Sequence, residues 1–232
     1  MPEAFAELIE AIDAADTATV RRLVTADSSL LEQIDNYGFT PLMHAAGCMN
    51  REVAVIRELL DAGAAVNRQT DEGYTALHCA IDVNAEANLN SREVIALLVA
   101  AGADLTLRQH YGWTPLLGAI VEGTLTEVDA LLAAGADPNV ALPIDTLPAC
   151  KSGLTALMAA VTNAYGEAVI ESLLRAGADP QAPSFDGATF PDYLAALLAK
   201  YPSGDFSEVV RRCQDVALRH AGGHTKPRTS CR

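Results

Sequence analysis

Five threonines recur along this 232-residue chain inside one local pattern. Gly38-Phe39-Thr40-Pro41-Leu42 is followed by Gly73-Tyr74-Thr75-Ala76-Leu77, Gly112-Trp113-Thr114-Pro115-Leu116 and Gly153-Leu154-Thr155-Ala156-Leu157, with a worn copy at Gly187-Ala188-Thr189. Between them a second motif recurs: Leu59-Leu60-Asp61-Ala62-Gly63-Ala64, then Leu97 to Ala103, Leu131 to Ala136 and Leu173 to Ala178. A repeat constrains the fold more than composition does, because one small unit is copied and must bury its apolar face on its neighbours. Each motif has a mechanical meaning. Thr before Pro or Ala is an N-cap followed by a residue that suits the first helical position. The Gly before it permits a turn with positive φ, and Leu-Leu-x-x-Gly ends a helix at a left-handed glycine. Every unit is therefore a turn, a short helix, a connection, a second helix and a glycine stop.

Thr75-Ala76-Leu77-His78-Cys79-Ala80 is close to T-P-L-H-x-A, and Gly-Ala-Asp follows the second helix at Gly102, Gly135 and Gly177. On these residues the chain resembles the ankyrin repeat family, whose unit is about 33 residues. The threonines here lie 35, 39, 41 and 34 apart. The excess falls in longer helix connections after Thr40 and Thr75, and in one turn, between Gly135 and Thr155, with eight extra residues. The resemblance implies an all-α ankyrin-repeat solenoid with an extended turn at about 140–152. We expect a single domain over 1–220: a capping repeat at 1–34, repeats at 35–69, 70–108, 109–140 and 151–182, and a closing repeat at 185–220. Residues 221–232 are expected to be a flexible basic tail. Met43, Leu117 and Met158 replace the family's usual His, which removes a polar tie but not the packing; Asp192 takes that slot in the last unit.

Charge and composition narrow the function. The chain holds 16 basic and 30 acidic residues, a net −14, and so repels a nucleic-acid backbone. Six of the basic residues lie between Arg211 and Arg232, as a solvated tail or as an internal partner for the acidic body. No run of eighteen apolar residues exists to span a membrane. The start, Met1 to Glu7, lacks a basic region followed by an apolar one, and a cytoplasmic location is expected. Cys48, Cys79, Cys150, Cys213 and Cys231 are scattered, which suits reduced thiols rather than a disulfide framework or a zinc site.

No nucleophile elbow, phosphate loop, dinucleotide motif or zinc-protease motif is present, so we expect no enzyme, no catalytic residues, no metal and no cofactor. His78 sits in the slot where the family's imidazole ties a turn to the next repeat, and His44 lies one place later on its own short helix. Asn67 and Asn139, each four residues after a glycine, are expected to steady their loops.

What remains is a surface. Of twelve aromatics, five (Tyr37, Phe39, Tyr74, Tyr111 and Trp113) fall in turns, where core packing does not demand them. Aromatic residues are enriched in interface hot spots. The expected partner-binding residues are Tyr37, Phe39, Asp71, Glu72, Tyr74, His110, Tyr111, Trp113 and Leu154, with Leu142, Ile144 and Leu147 on the long turn. That turn either contacts the partner or folds onto neighbouring turns. Trp113 is expected at the centre of the face, partly exposed. The implied function is a non-catalytic protein-binding module that occupies a partner's surface as adaptor or inhibitor. The alternatives are an immunity-type inhibitor of one enzyme or toxin, or a self-associating scaffold. The partner is expected to be a protein with a basic or apolar patch, and the free chain a monomer.

Overall fold

The computed structural model describes residues 2–48, 51–81, 90–142, 153–163 and 165–222. Twelve α-helices lie among them, with no strand beyond one isolated bridge. They fall into two compact units, residues 1–136 and 137–232. The first unit holds α1 (Glu3–Asp13), α2 (Thr17–Ala26), α3 (Pro41–Gly47), α4 (Val53–Asp61), α5 (Ala76–Cys79), α6 (Ser91–Ala100), α7 (Pro115–Val121) and α8 (Leu125–Ala133). The second holds α9 (Ala156–Ala160), α10 (Gly166–Arg175), α11 (Phe190–Lys200) and α12 (Asp205–Gly222).

The helix starts follow from the threonines. Thr40, Thr75, Thr114 and Thr189 each accept a hydrogen bond from the backbone N–H three residues on, satisfying one of the orphan donors of the first turn. The stops follow from the glycines. At Gly63 the φ is +96°, its N–H bonds to the Leu60 carbonyl and the Ala64 N–H to that of Leu59, which closes a Schellman motif. The same pair of bonds recurs at Gly102, Gly135 and Gly177.

In the first unit the short helices α3, α5 and α7 stack in sequence, and α4, α6 and α8 stack beside them. Leu42, Leu77 and Leu116 fill one row; Ile56, Leu59, Ile95, Leu98 and Leu131 fill the other. A buried polar chain threads the second row. Arg51 donates to the Ala80 carbonyl (2.9 Å) and to Ser91 Oγ (3.3 Å), and Ser91 donates to Glu127 Oε1 (3.0 Å). Pairing and hydrogen bonding are what make a buried charge tolerable. In the second unit α10 packs on α9 and α12, and α11 on α12, around Leu157, Ile170, Leu173, Phe190, Leu194 and Val210.

The turns repeat as faithfully as the helices. Asp35, Thr70, Gln109 and Ser184 each donate their N–H to the carbonyl four residues on, at Phe39, Tyr74, Trp113 and Ala188. The extended turn departs from this pattern. Leu142 donates to the Leu154 carbonyl (2.8 Å) and Ala156 to that of Val140 (2.9 Å), with an antiparallel bridge between Ala141 and Thr155. Of the two arrangements open to this turn, contact with a partner or folding back, Leu142 takes the covered one: its side chain is 8% exposed. Ile144 and Leu147 lie outside the described residues, as do residues 82–89 and the tail from 223.

Candidate functional site

Two neighbouring turns and two short helices of the first unit enclose a groove of about 450 Å³. Tyr37, Phe39 and Tyr74 line it from the turns; Met43, His44, His78 and Cys79 line it from α3 and α5. The turn of Asp35 is set by that residue's own carboxylate. Its Oδ1 accepts from the N–H groups of Tyr37 (2.8 Å) and Phe39 (2.9 Å), a side-chain mimic of a backbone turn. The bonds hold Tyr37 outward, 81% exposed, and Phe39 half-buried. His44 places Nε2 2.9 Å from Asp13 Oδ1 and Nδ1 3.9 Å from Asp35 Oδ2, so it faces the groove with a carboxylate on each side.

His78 is structural. The Trp113 carbonyl, one repeat on, accepts from its Nε2 at 3.1 Å, and its Nδ1 accepts from the Thr75 N–H at 3.3 Å. Those partners require a neutral ring protonated on Nε2. Burial lowers its pKa from the usual imidazole range, against the pull of the Trp113 carbonyl. Burial likewise pushes the Cys79 thiol up to about 12, which leaves it a poor nucleophile, although its side chain stays partly accessible. The Tyr74 phenol is raised by burial and then by the Glu122 and Glu72 carboxylates, so it remains a hydrogen-bond donor.

Beyond Tyr74 the aromatics continue across the next turn. The Tyr74 and His110 rings lie 6.3 Å apart, His110 and Tyr111 3.6 Å, and Tyr111 and Trp113 5.9 Å. The two turns are bonded directly, His110 N–H to the Glu72 carbonyl at 2.7 Å. Gly73, with φ +80°, lets the next turn approach, since a Cβ there would meet the Arg108 oxygen at 2.8 Å. Asp71, Glu72 and His110 are exposed, and Tyr111 is 37% exposed. Trp113 departs from expectation. It is 6% exposed, and its indole N–H has no acceptor among the described residues. A ring so covered supports the turn stack and is not a partly exposed anchor. In the second unit Leu154 is half-buried and gives its carbonyl to Leu142.

Phe185, 68% exposed at the tip of the last turn, escaped the sequence reading. Its signal was positional: it stands two residues before Gly187, as Asp71 stands before Gly73 and His110 before Gly112. Asn67 and Asn139 do what their spacing suggested. Asn67 donates to the Gly102 carbonyl (2.9 Å) and accepts from the Asp104 N–H (2.8 Å); Asn139 does the same with Gly177 (3.4 Å) and Asp179 (2.8 Å). Among the described residues no three His, Cys, Asp or Glu side chains gather as a metal site, and no helix is long and apolar enough to cross a membrane.

Comparisons with known proteins agree with this geometry. The family model for ankyrin repeats matches residues 8–109 and 83–184. The B-cell lymphoma 3 protein homolog of Mus musculus is 32% identical over 165 residues, which is 69% of this chain and 33% of that protein. The chain spans only 14%, 15% and 33% of the length of three such curated relatives. Among solved structures, the ankyrin repeat protein EF0377 aligns with a TM-score of 0.70 at 22% identity, covering 92% of this chain and 96% of that one. A second similar chain belongs to the complex of the Bd0816 predatory endopeptidase from Bdellovibrio bacteriovorus with immunity protein Bd3460. Its TM-score is 0.63 at 27% identity, over 89% of this chain and 97% of that one. With paired helices along the described residues and the family model matching more than half of its length, this chain is an all-α repeat solenoid and belongs to the ankyrin repeat family.

Proposed function

We propose that this chain is a non-catalytic module that acts by occupying the surface of a cognate protein, as an adaptor or an inhibitor. Ankyrin repeats are protein-binding modules, and the fold is generally non-enzymatic. The observation that carries the proposal is the aromatic groove of the first unit, where Tyr37 stands exposed beside Phe39 and Tyr74. Exposed rings clustered in a concavity cost little entropy to bury and supply much contact area. The binding face we propose runs from Tyr37 and Phe39 through Tyr74, Asp71 and Glu72 to His110 and Tyr111. The free protein is taken to be a cytoplasmic monomer.

The test is retention of a partner by the intact chain and its loss from Tyr37→Ala/Tyr74→Ala, with circular dichroism checking that the variant is folded. A partner held by the first and released tenfold or more by the second supports the site. Equal retention by both removes the groove from the interface. Concentration-dependent light scattering distinguishes the self-associating alternative.

A second reading is favoured by one similarity. The chain covers nearly the whole of its counterpart in the endopeptidase–immunity protein complex. This reading makes the protein an immunity-type inhibitor of one enzyme. Co-expression with its cognate enzyme, where that enzyme alone arrests growth, should then restore growth, and Tyr37→Ala/Tyr74→Ala should not.

A further inference from the structure

We infer that the groove between Tyr37 and Tyr74 receives a cationic side chain, Arg or Lys, of the partner protein. The inference rests on the protein-binding reading above and adds the chemistry of the occupant. Three aromatic side chains, Tyr37, Phe39 and Tyr74, line one groove, and ring faces attract a cation held against them. Asp35 lines it too. One of its oxygens is used by the turn, accepting from Tyr37 and Phe39, while Oδ2 points away from those donors with His44 Nδ1 3.9 Å off. Among the described residues no Lys or Arg lines the groove. The surrounding unit is strongly acidic, with 20 Asp and Glu against 7 Lys and Arg over residues 1–136. An anionic occupant meets the Asp35 carboxylate and the acidic unit around it. A wholly apolar one would leave the Asp35 carboxylate desolvated without a counter-charge. A long basic side chain satisfies both demands, laying its methylenes along Phe39 and Tyr74 while its head meets the carboxylate and the rings.

The test uses phage-displayed peptides selected on the full-length protein. Selected peptides should share an Arg or Lys at one position, and replacing it by norleucine should weaken binding at least tenfold. Asp35→Asn supplies the second arm. An amide oxygen can still accept from Tyr37 and Phe39, so the turn is kept and only the charge is lost. That variant should weaken the basic peptide tenfold or more at low salt and leave its norleucine version unchanged, with an unaltered melting temperature. Peptides sharing only an apolar residue, an Asp35→Asn variant that binds the basic peptide as well as the original, or no selected peptide at all would each overturn the inference. None of these touches the protein-binding reading, which is decided by the partner-retention experiment.

Discussion

Residues 1–136 carry 7 basic and 20 acidic side chains, a net −13, whereas residues 137–232 carry 9 and 10, a net −1. Both units are built from the same repeat. Asn67 in the first and Asn139 in the second make the same two bonds to the following repeat of their own unit, and the Gly63 and Gly177 helix stops share one hydrogen-bond pattern. The slot three residues after the capping threonine varies within both units: His78 and Asp192 complete capping boxes with Thr75 and Thr189, whereas Met43, Leu117 and Met158 are apolar. His78 also reaches the next turn, and the Thr155 hydroxyl is buried with no partner among the described residues. Scaffold and surface therefore vary separately. Groups that close a hydrogen bond within the repeat recur, and groups that face water set the charge without touching the fold.

The largest contrast concerns two turn aromatics. Trp113→Ala should destabilise the protein by about 3–5 kcal/mol, the range for removing a large buried ring. Phe185→Ala should stay within about 0.5 kcal/mol, as for an exposed side chain. Urea unfolding of both variants checks this, and equal costs would erase the distinction between a covered turn and an open one. The polar slot comes next. His78→Ala should cost about 1–3 kcal/mol by stranding the Thr75 and Trp113 backbone groups. The converse change, Met158→His, should recover about 1 kcal/mol by giving the Thr155 hydroxyl an acceptor. If Met158→His destabilises as much as His78→Ala, the two units do not share this geometry.

Smaller effects probe what the units have in common. Asn67→Ala and Asn139→Ala should each cost about 1 kcal/mol, since each loses one donor and one acceptor at an exposed loop. Clearly unequal losses in thermal melting would show that the shared bonds are not equivalent. The smallest effect is in pH. The folded pKa of His78 lies below its unfolded value, because burial favours the neutral ring. Its contribution is therefore fully present above about 6.5 and is lost as pH falls from there toward the lowered folded value. Denaturation midpoints at pH 7.5, 6.5 and 5.5 should fall across this window in the natural protein and much less in His78→Ala. The lowered carboxylates of Asp16, Asp27, Glu58, Asp104 and Asp192 act only below the ordinary carboxylate range, outside this window.

The Gly-x-Thr spacing and the Leu-Leu-x-x-Gly endings marked helix starts and stops because caps and Schellman turns are closed by residues within five positions of each other. His78 and the two asparagines were legible for a related reason. Their partners lie one repeat away, and the repeat itself supplies that distance. Two things were decided only in three dimensions. Trp113 occupies the same place in its turn as Phe39 and Tyr74 yet is buried where they are half-exposed, a difference that position in the repeat does not carry. Leu142 is buried and bonded to Leu154 across the extended turn, a pairing with no counterpart among the other described turns and so no period to reveal it. The Arg51–Ser91–Glu127 chain was half visible: Thr124 and Glu127 spell a capping box, but nothing near Arg51 names partners 29 and 40 residues away. Local hydrogen bonding can be read along a chain, whereas burial depends on neighbours that only the folded stack brings together.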